Sequence, residues 1–195
     1  MALFGKHTYA DLTQLVRACQ AQRPKAQRLF YERYKRRMMG ICIRYAHTEV
    51  EAQDILQEAF IKIFSHIHTL EKPDSADDWV KSIVVRTAIN YYHQANRRQE
   101  RFVAYDQLTD EPVSDDYEEW LTQHNAETWV LLLSQLPDAY RLVINLYLIE
   151  GYTHAEIARL LGVPEATARS QYSRGKQLLV NLLKKNGTER HELFG

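Results

Sequence analysis

Trp79, Arg86, Asn90, His93, Arg97 and Arg98 recur at close to i, i+3/i+4 spacing, which puts them along one side of a helix. An aromatic ring, an amide and guanidinium groups on one face can stack on unpaired bases and hold phosphates. The same pattern also fits a core tryptophan with solvated arginines. A second set, Asp54, Glu58, Ile61 and Ser65 with Gln57 beside them, follows the i, i+4, i+7, i+11 stripe of another helix. An apolar residue ringed by acids and an amide has the composition of a small protein-docking patch, although isolated exposed isoleucines are common. A third set lies in Gly151–Lys185, which reads as two helices joined by a tight turn, the second basic and polar along one side. No enzymatic constellation accompanies them. Asp77 and Asp78 are adjacent carboxylates, but no base, nucleophile or metal cluster joins them. His66 and His68 are two apart and would point to different sides of a helix, which argues against a metal site. No cofactor is expected.

Helices must position all three sets. In the third, Thr153 is placed to cap a helix, and Glu156 three residues on completes a capping box. Ile157, Ala158, Leu160 and Leu161 supply its apolar face. Gly162 can take a left-handed conformation at the turn, and Pro164 suits the first position of the next helix. That is the spacing of a helix-turn-helix, whose second helix enters a DNA major groove, although an ordinary helical hairpin shares it.

Upstream, Thr8–Gln20 carries Leu12, Leu15, Val16 and Cys19 at helical spacing, with Thr8 and Asp11 as capping candidates, and Arg23-Pro24 breaks the pattern. Gln27–Ala46 is a second helix with a basic outer face of Arg33, Lys35, Arg36, Arg37 and Arg44. Thr48 opens a third, with Leu56, Phe60, Ile63, Phe64 and Ile67 inward. Leu70–Asp78 is a polar loop in which Ser75 or Asp77 caps a fourth helix, Trp79–Arg98, with Val80, Ile83, Val84, Thr87 and Tyr91 as its apolar stripe. Gln99–Gln123 loses periodicity and reads as a flexible acidic linker. Asn125–Gln135 and Asp138–Ile149 resume as helices, the latter with Val143, Leu146 and Tyr147 inward, and Asn186–Gly195 reads as a frayed tail.

The 195 residues suffice for one or two small domains, and 45% apolar content places the chain among globular proteins. Seven glycines and five prolines leave long stretches uninterrupted, which favours an all-α fold. Cys19 and Cys42 have no CxxC spacing and read as core residues in a reducing compartment. The most apolar stretch, Leu142–Ile149, is too short to span a bilayer, and the N-terminus has no signal-peptide core, so a cytoplasmic protein without stable membrane insertion is expected. The zero net charge conceals blocks. Residues 1–101 carry 17 Lys/Arg against 11 Asp/Glu, whereas 102–140 hold nine acids and no Lys or Arg. Residues 141–186 return to seven Lys/Arg against three acids. Two basic blocks around an acidic segment suggest two polyanion-binding domains and a linker.

From about Thr8 to Lys184 the chain resembles a bacterial RNA polymerase sigma factor of the small, two-domain extracytoplasmic-function (ECF) kind. Asp54-Ile-Leu-Gln-Glu-Ala-Phe-Ile-Lys-Ile-Phe64 is similar to the family's D-[IL]-x-Q-E-x-F-[IL]-[KR]-x-[FWY] signature for gripping the polymerase clamp helices. Trp79–Tyr92 is similar to the helix that melts and reads the minus-10 element, and Gly151–Lys185 to the minus-35 reader. Asn90 stands where many relatives have Asp, Ala168 and Tyr172 where many have Val and Leu, and Pro164 where many have Ser. These departures bear on promoter preference.

The resemblance implies an all-α fold of two small helical domains joined by a flexible acidic linker, with a C-terminal helix-turn-helix. Residues 1–100 would form the region 2 domain, 101–124 the linker, 125–186 the region 4 domain and 187–195 the tail. It implies a non-enzymatic initiation factor that brings core polymerase to specific promoters. Asp54, Gln57, Glu58 and Ile61 would dock on the clamp helices of the largest subunit. Lys72, Ser75 and Trp79 would hold a flipped minus-10 base, with Arg86, Asn90, Arg97 and Arg98 along the strand. Arg169, Ser170, Ser173 and Arg174, with Thr167, would read the minus-35 element, Arg169 foremost, while Arg159 and Lys176 hold phosphates. The linker would thread near the RNA exit path. An anti-sigma factor is a further implied partner. A stand-alone helix-turn-helix regulator would explain the hairpin but not the docking stripe, and a small nucleic-acid enzyme lacks its constellation.

Overall fold

The computed structural model describes Tyr9, residues 11–98 and residues 126–194, apart from the side chains of 95–98, 126–128 and 184–194. The predicted linker lies outside them, as do Thr8 and the side chains of Arg97 and Arg98. All regular structure among the described residues is helical. The chain divides into two compact units, one ending at Gln94 and the other beginning at Ala95.

In the first unit, Asp11 accepts from the Gln14 N–H at 2.7 Å and so starts α1, Leu12–Gln20. Gln22 ends it in the left-handed region at φ 53°. Pro24 then opens α2, Pro24–Tyr45, rather than merely interrupting a pattern, because a first-turn proline forfeits no helical hydrogen bond. Thr48 caps α3, Glu49–His66, by accepting from the Glu51 N–H, and the Glu51 carboxylate accepts from the His47 N–H at 2.8 Å. Two single turns, Ile67–Thr69 and Pro73–Ser75, carry the loop into α4, Ala76–Arg98. That helix starts three residues before the predicted Trp79, so Asp77 lies inside its first turn instead of capping it. Its buried side is Val80, Val84, Val85, Thr87, Ala88 and Ile89, while Ile83 and Tyr91 are only half-buried. α1 and α3 pack on α2 around Val16, Phe30, Tyr34, Met38, Ile55 and Ile63.

The second unit holds α5, Ala126–Ser134, and α6, Asp138–Ile144, which widens over Asn145–Ile149 into a π turn. Then come α7, His154–Leu161, and α8, Glu165–Phe194. Its core joins Leu132, Leu133, Leu136, Ile144, Leu179 and Leu183. Tyr147, predicted inward, is 36% exposed, because the π turn rotates it to the rim. α8 runs through the residues read as tail. Glu189, Arg190, Glu192 and Leu193 are sound helix formers, and Gly187 alone does not stop them.

Candidate functional site

On α3, Ala52, Ile55, Leu56, Ala59, Phe60 and Ile63 face the core, and this periodicity turns the docking stripe outward. Asp54 and Gln57 are exposed, and Ile61 is 62% exposed. Glu58 is half-buried and ion-paired to Lys62 at 2.5 Å, one turn on. The stripe borders a shallow groove between α2 and α3, lined by Tyr31, Met39, Leu56, Phe60 and Phe64 as well as Gln57 and Ile61. Phe64 lines this groove instead of filling the core, and the Tyr31 and Phe60 rings meet edge to face at 4.7 Å. Carboxylates beside a shallow apolar groove suit a protein partner carrying basic and apolar groups.

The Trp79 set lies along α4 and in the loop before it. Lys72, Ser75, Arg86 and Asn90 are exposed, and Trp79 and His93 are half-buried. Trp79 is therefore neither sealed in the core nor fully displayed. The Ser75 hydroxyl donates to the Lys72 carbonyl at 2.8 Å, which closes the loop on itself. Asp77 reaches back to α2, 3.5 Å from Arg37. It lies beside the buried Tyr34 hydroxyl, which is held without a well-aligned hydrogen bond. Burial first and Asp77 second push the Tyr34 phenol up to about 12, and that hydroxyl, with Arg37 and Arg33, holds Asp77 below its ordinary value.

In the third set, Thr153 and Glu156 form the expected capping box, with the Thr153 N–H donating to the Glu156 carboxylate at 2.8 Å. Gly162 sits at φ 67°, and the Val163 N–H returns to the Ala158 carbonyl at 3.1 Å, so the turn is a left-handed C-cap. Pro164 stands one residue ahead of α8, its carbonyl accepting from Thr167 and Ala168. Ile157, Ala158, Ala168 and Leu179 are buried. The opposite side of α8 exposes Arg169, Ser170, Ser173 and Arg174, with Thr167 and Lys176 half-buried, and α7 exposes Arg159. Arg169 is engaged by Glu165 on its own helix at 2.7 Å.

Three contacts had no sequence signal. Tyr147 stacks on His154 at 4.5 Å and 14°, and Tyr172 tilts onto both at 4.4 and 5.3 Å, pinning the recognition helix to the π turn. Burial, then Arg169, lowers the His154 pKa against the opposing pull of Glu165. Gly175 lets α8 cross α6 closely, since a Cβ there would lie 3.0 Å from Ile144 and 3.1 Å from Tyr140. Gln20 bonds to the loop before α4. Among the described residues no group of three or more His, Cys, Asp or Glu could hold a metal ion.

Comparison with known proteins meets this geometry in both units. The family model described as Sigma-70 region 2 matches residues 30–98, and that described as Sigma-70, region 4 matches residues 127–179. The chain belongs to the sigma-70 family. Its relatives mark this sigma factor as one of the ECF kind. It is 29% identical to the ECF RNA polymerase sigma-E factor of Haemophilus influenzae over 86% of this chain and 92% of that protein. It is 27% identical to the RNA polymerase sigma-H factor of Pseudomonas aeruginosa over 85% of this chain and 90% of that one. A solved structure, the sigma factor RpoE in complex with the anti-sigma factor NepR from Bartonella quintana, shares the fold at TM-score 0.51 and 18% identity. It covers 80% of this chain and 96% of that one. ECF sigma factors are not enzymes. A stand-alone helix-turn-helix regulator would leave the region 2 match unexplained. No described helix is long and apolar enough to cross a membrane.

Proposed function

We propose that this sigma factor initiates transcription by binding core RNA polymerase through α3 and carrying it to promoters read by α4 and α8. The observation that supports this best is the outward stripe Asp54, Gln57, Glu58 and Ile61 in the same chain as a helix-turn-helix. A DNA-binding regulator has no need of the first. Asp54 and Glu58 offer charge to basic residues of the clamp helices, and Ile61 offers an apolar anchor. Lys72, Ser75 and Trp79 form the rim of a pocket for an extruded minus-10 base, the usual way to read a base outside the stack. Arg86, Asn90, Arg97 and Arg98 follow the strand beyond it.

Arg169 is the principal minus-35 reader, a bidentate arginine–guanine pair being worth about 1–3 kcal/mol of discrimination. Thr167, Ser170, Ser173 and Arg174 adjoin it, and Arg159 and Lys176 fix register on phosphates. Residues 1–100 and 125–186 act as the two promoter-binding domains, 101–124 as their linker and 187–195 as an appendage of the second. The factor works in the cytoplasm, under the control of an anti-sigma factor. The test is run-off transcription with purified core polymerase on a random promoter library. Capture of core polymerase and selection of paired minus-10 and minus-35 motifs is expected; no capture in a purified mixture would sink the proposal.

A further inference from the structure

Both ends of the Leu70–Asp78 loop are tied to helices outside the α3–α4 pair that it joins. At its entry Gln20, the last residue of α1, donates through one amide nitrogen to two carbonyls, Ile67 at 3.1 Å and Leu70 at 2.9 Å. Ile67 and Leu70 are themselves buried, and the Leu70 N–H already returns to the Ile67 carbonyl at 3.2 Å. The side-chain amide therefore completes a turn whose carbonyls have little access to water. Directly behind Gln20, α1 is stopped by the left-handed Gln22, and the Arg23 N–H returns to the Ala18 carbonyl, so the amide is presented from a fixed end. At the loop's exit, Arg37 of α2 pairs with Asp77 in the first turn of α4 at 3.5 Å, beside the Tyr34 hydroxyl. The guanidinium groups of Arg33 and Arg37 lie 6.0 and 5.6 Å from the Tyr34 ring centre, which orders that end further.

We propose that Gln20 is a positioning residue for minus-10 base selection, presetting the entry of the base-reading loop while the Arg37–Asp77 ion pair holds its exit. The inference rests on the reading of that loop as the pocket for a flipped base. A pocket whose walls are set beforehand discriminates by what fails to fit, whereas a loose loop reshapes around any base. Gln20 is suited to the task because an amide donates twice from one nitrogen. A carboxylate cannot donate at all, and a thioether of similar volume fills the space without bonding.

The test uses the full chain with core polymerase on two promoter libraries, one randomised over the minus-10 element and one over the minus-35 element. The wild type first selects from each, and the preference ratio at each position is read by sequencing transcripts. Gln20→Met and Gln20→Glu are both expected to flatten the minus-10 ratio by about tenfold, the scale of one lost base contact, with the minus-35 ratio and core affinity unchanged. Ratios are insensitive to the fraction of folded protein, so a destabilised variant remains readable. Retention of the minus-10 preference in Gln20→Met would overturn the inference while leaving the function standing. So would a proportionate fall on every promoter, which marks a purely structural role. A wild type that selects no minus-10 sequence would overturn both.

Discussion

Glu58 stands half-buried against Lys62, and exposed pairs of this kind contribute only about 0–1 kcal/mol. Its substitution is therefore informative about binding rather than folding. Glu58→Lys places like charge beside Lys62 and reverses the sign of the docking stripe. Affinity for core polymerase is expected to fall more than about tenfold, measured by fluorescence anisotropy, with a melting temperature close to that of the wild type. Arg169→Ala is expected to cost about 1–3 kcal/mol at one or two minus-35 bases, read from a binding-site library. A uniform loss over all sequences would instead make Arg169 a phosphate contact. For His154 the pH dependence has a definite sign. Its folded-state pKa lies below its ordinary 6.5, so the stability from the neutral ring is complete above that value and declines as pH falls beneath it. Melts of the wild type should lose stability toward acid pH, with His154→Phe showing the flatter profile. At this scale the outward residues were legible because apolar positions recur at helical spacing along α3 and through Leu183 of α8. Gln20 and the Tyr147–His154–Tyr172 rings were not, because their partners lie far off in sequence or across a turn.

At the scale of elements, the caps were the most readable features. Thr48, Thr153 and Gly162 act within three or four residues, and local chemistry is what a linear sequence displays. Boundaries at Pro24 and Ala76 were displaced by three residues, since proline and short polar residues both begin and interrupt helices. The π turn was hidden. Its mark is the Glu150 N–H reaching the Asn145 carbonyl five residues back, at a position where Asn145 is fully buried. Two predictions belong here. Thr153→Ala removes one side of the capping box and should cost about 1 kcal/mol in chemical denaturation. Gly175→Val should cost about 1–3 kcal/mol and lower the melting temperature of the second unit. The reason is that Tyr140 meets the new side chain with its own Cβ, which follows the backbone of α6 and cannot swing away.

For the whole molecule, the division into two units separates consequences that a single core would mix. Residues 126–194 have their own core around Leu133, Ile144 and Leu179, so that fragment is expected to unfold cooperatively when made alone. The full-length Glu58→Lys variant should likewise keep its affinity for a minus-35 duplex while failing to assemble with polymerase. Fold class and the order of the two units followed from helical periodicity and the three quoted motifs. Their internal packing did not, because it depends on crossings such as that at Gly175, where absence of a side chain is the signal.

The ion pair between Arg169 and Glu165 has a consequence for how the factor searches DNA. On the minus-35 role proposed for it, Arg169 carries its own competitor, a carboxylate one turn away, which any phosphate must displace while the protein scans unrelated sequence. The carboxylate repels an anionic phosphate but not the neutral edge of a guanine, which the arginine can bind at two points. On that role Glu165 would act as a brake on idle adhesion. Glu165→Gln should slow release from random duplexes more than from the selected promoter, making the variant stickier and less discerning in single-molecule residence times.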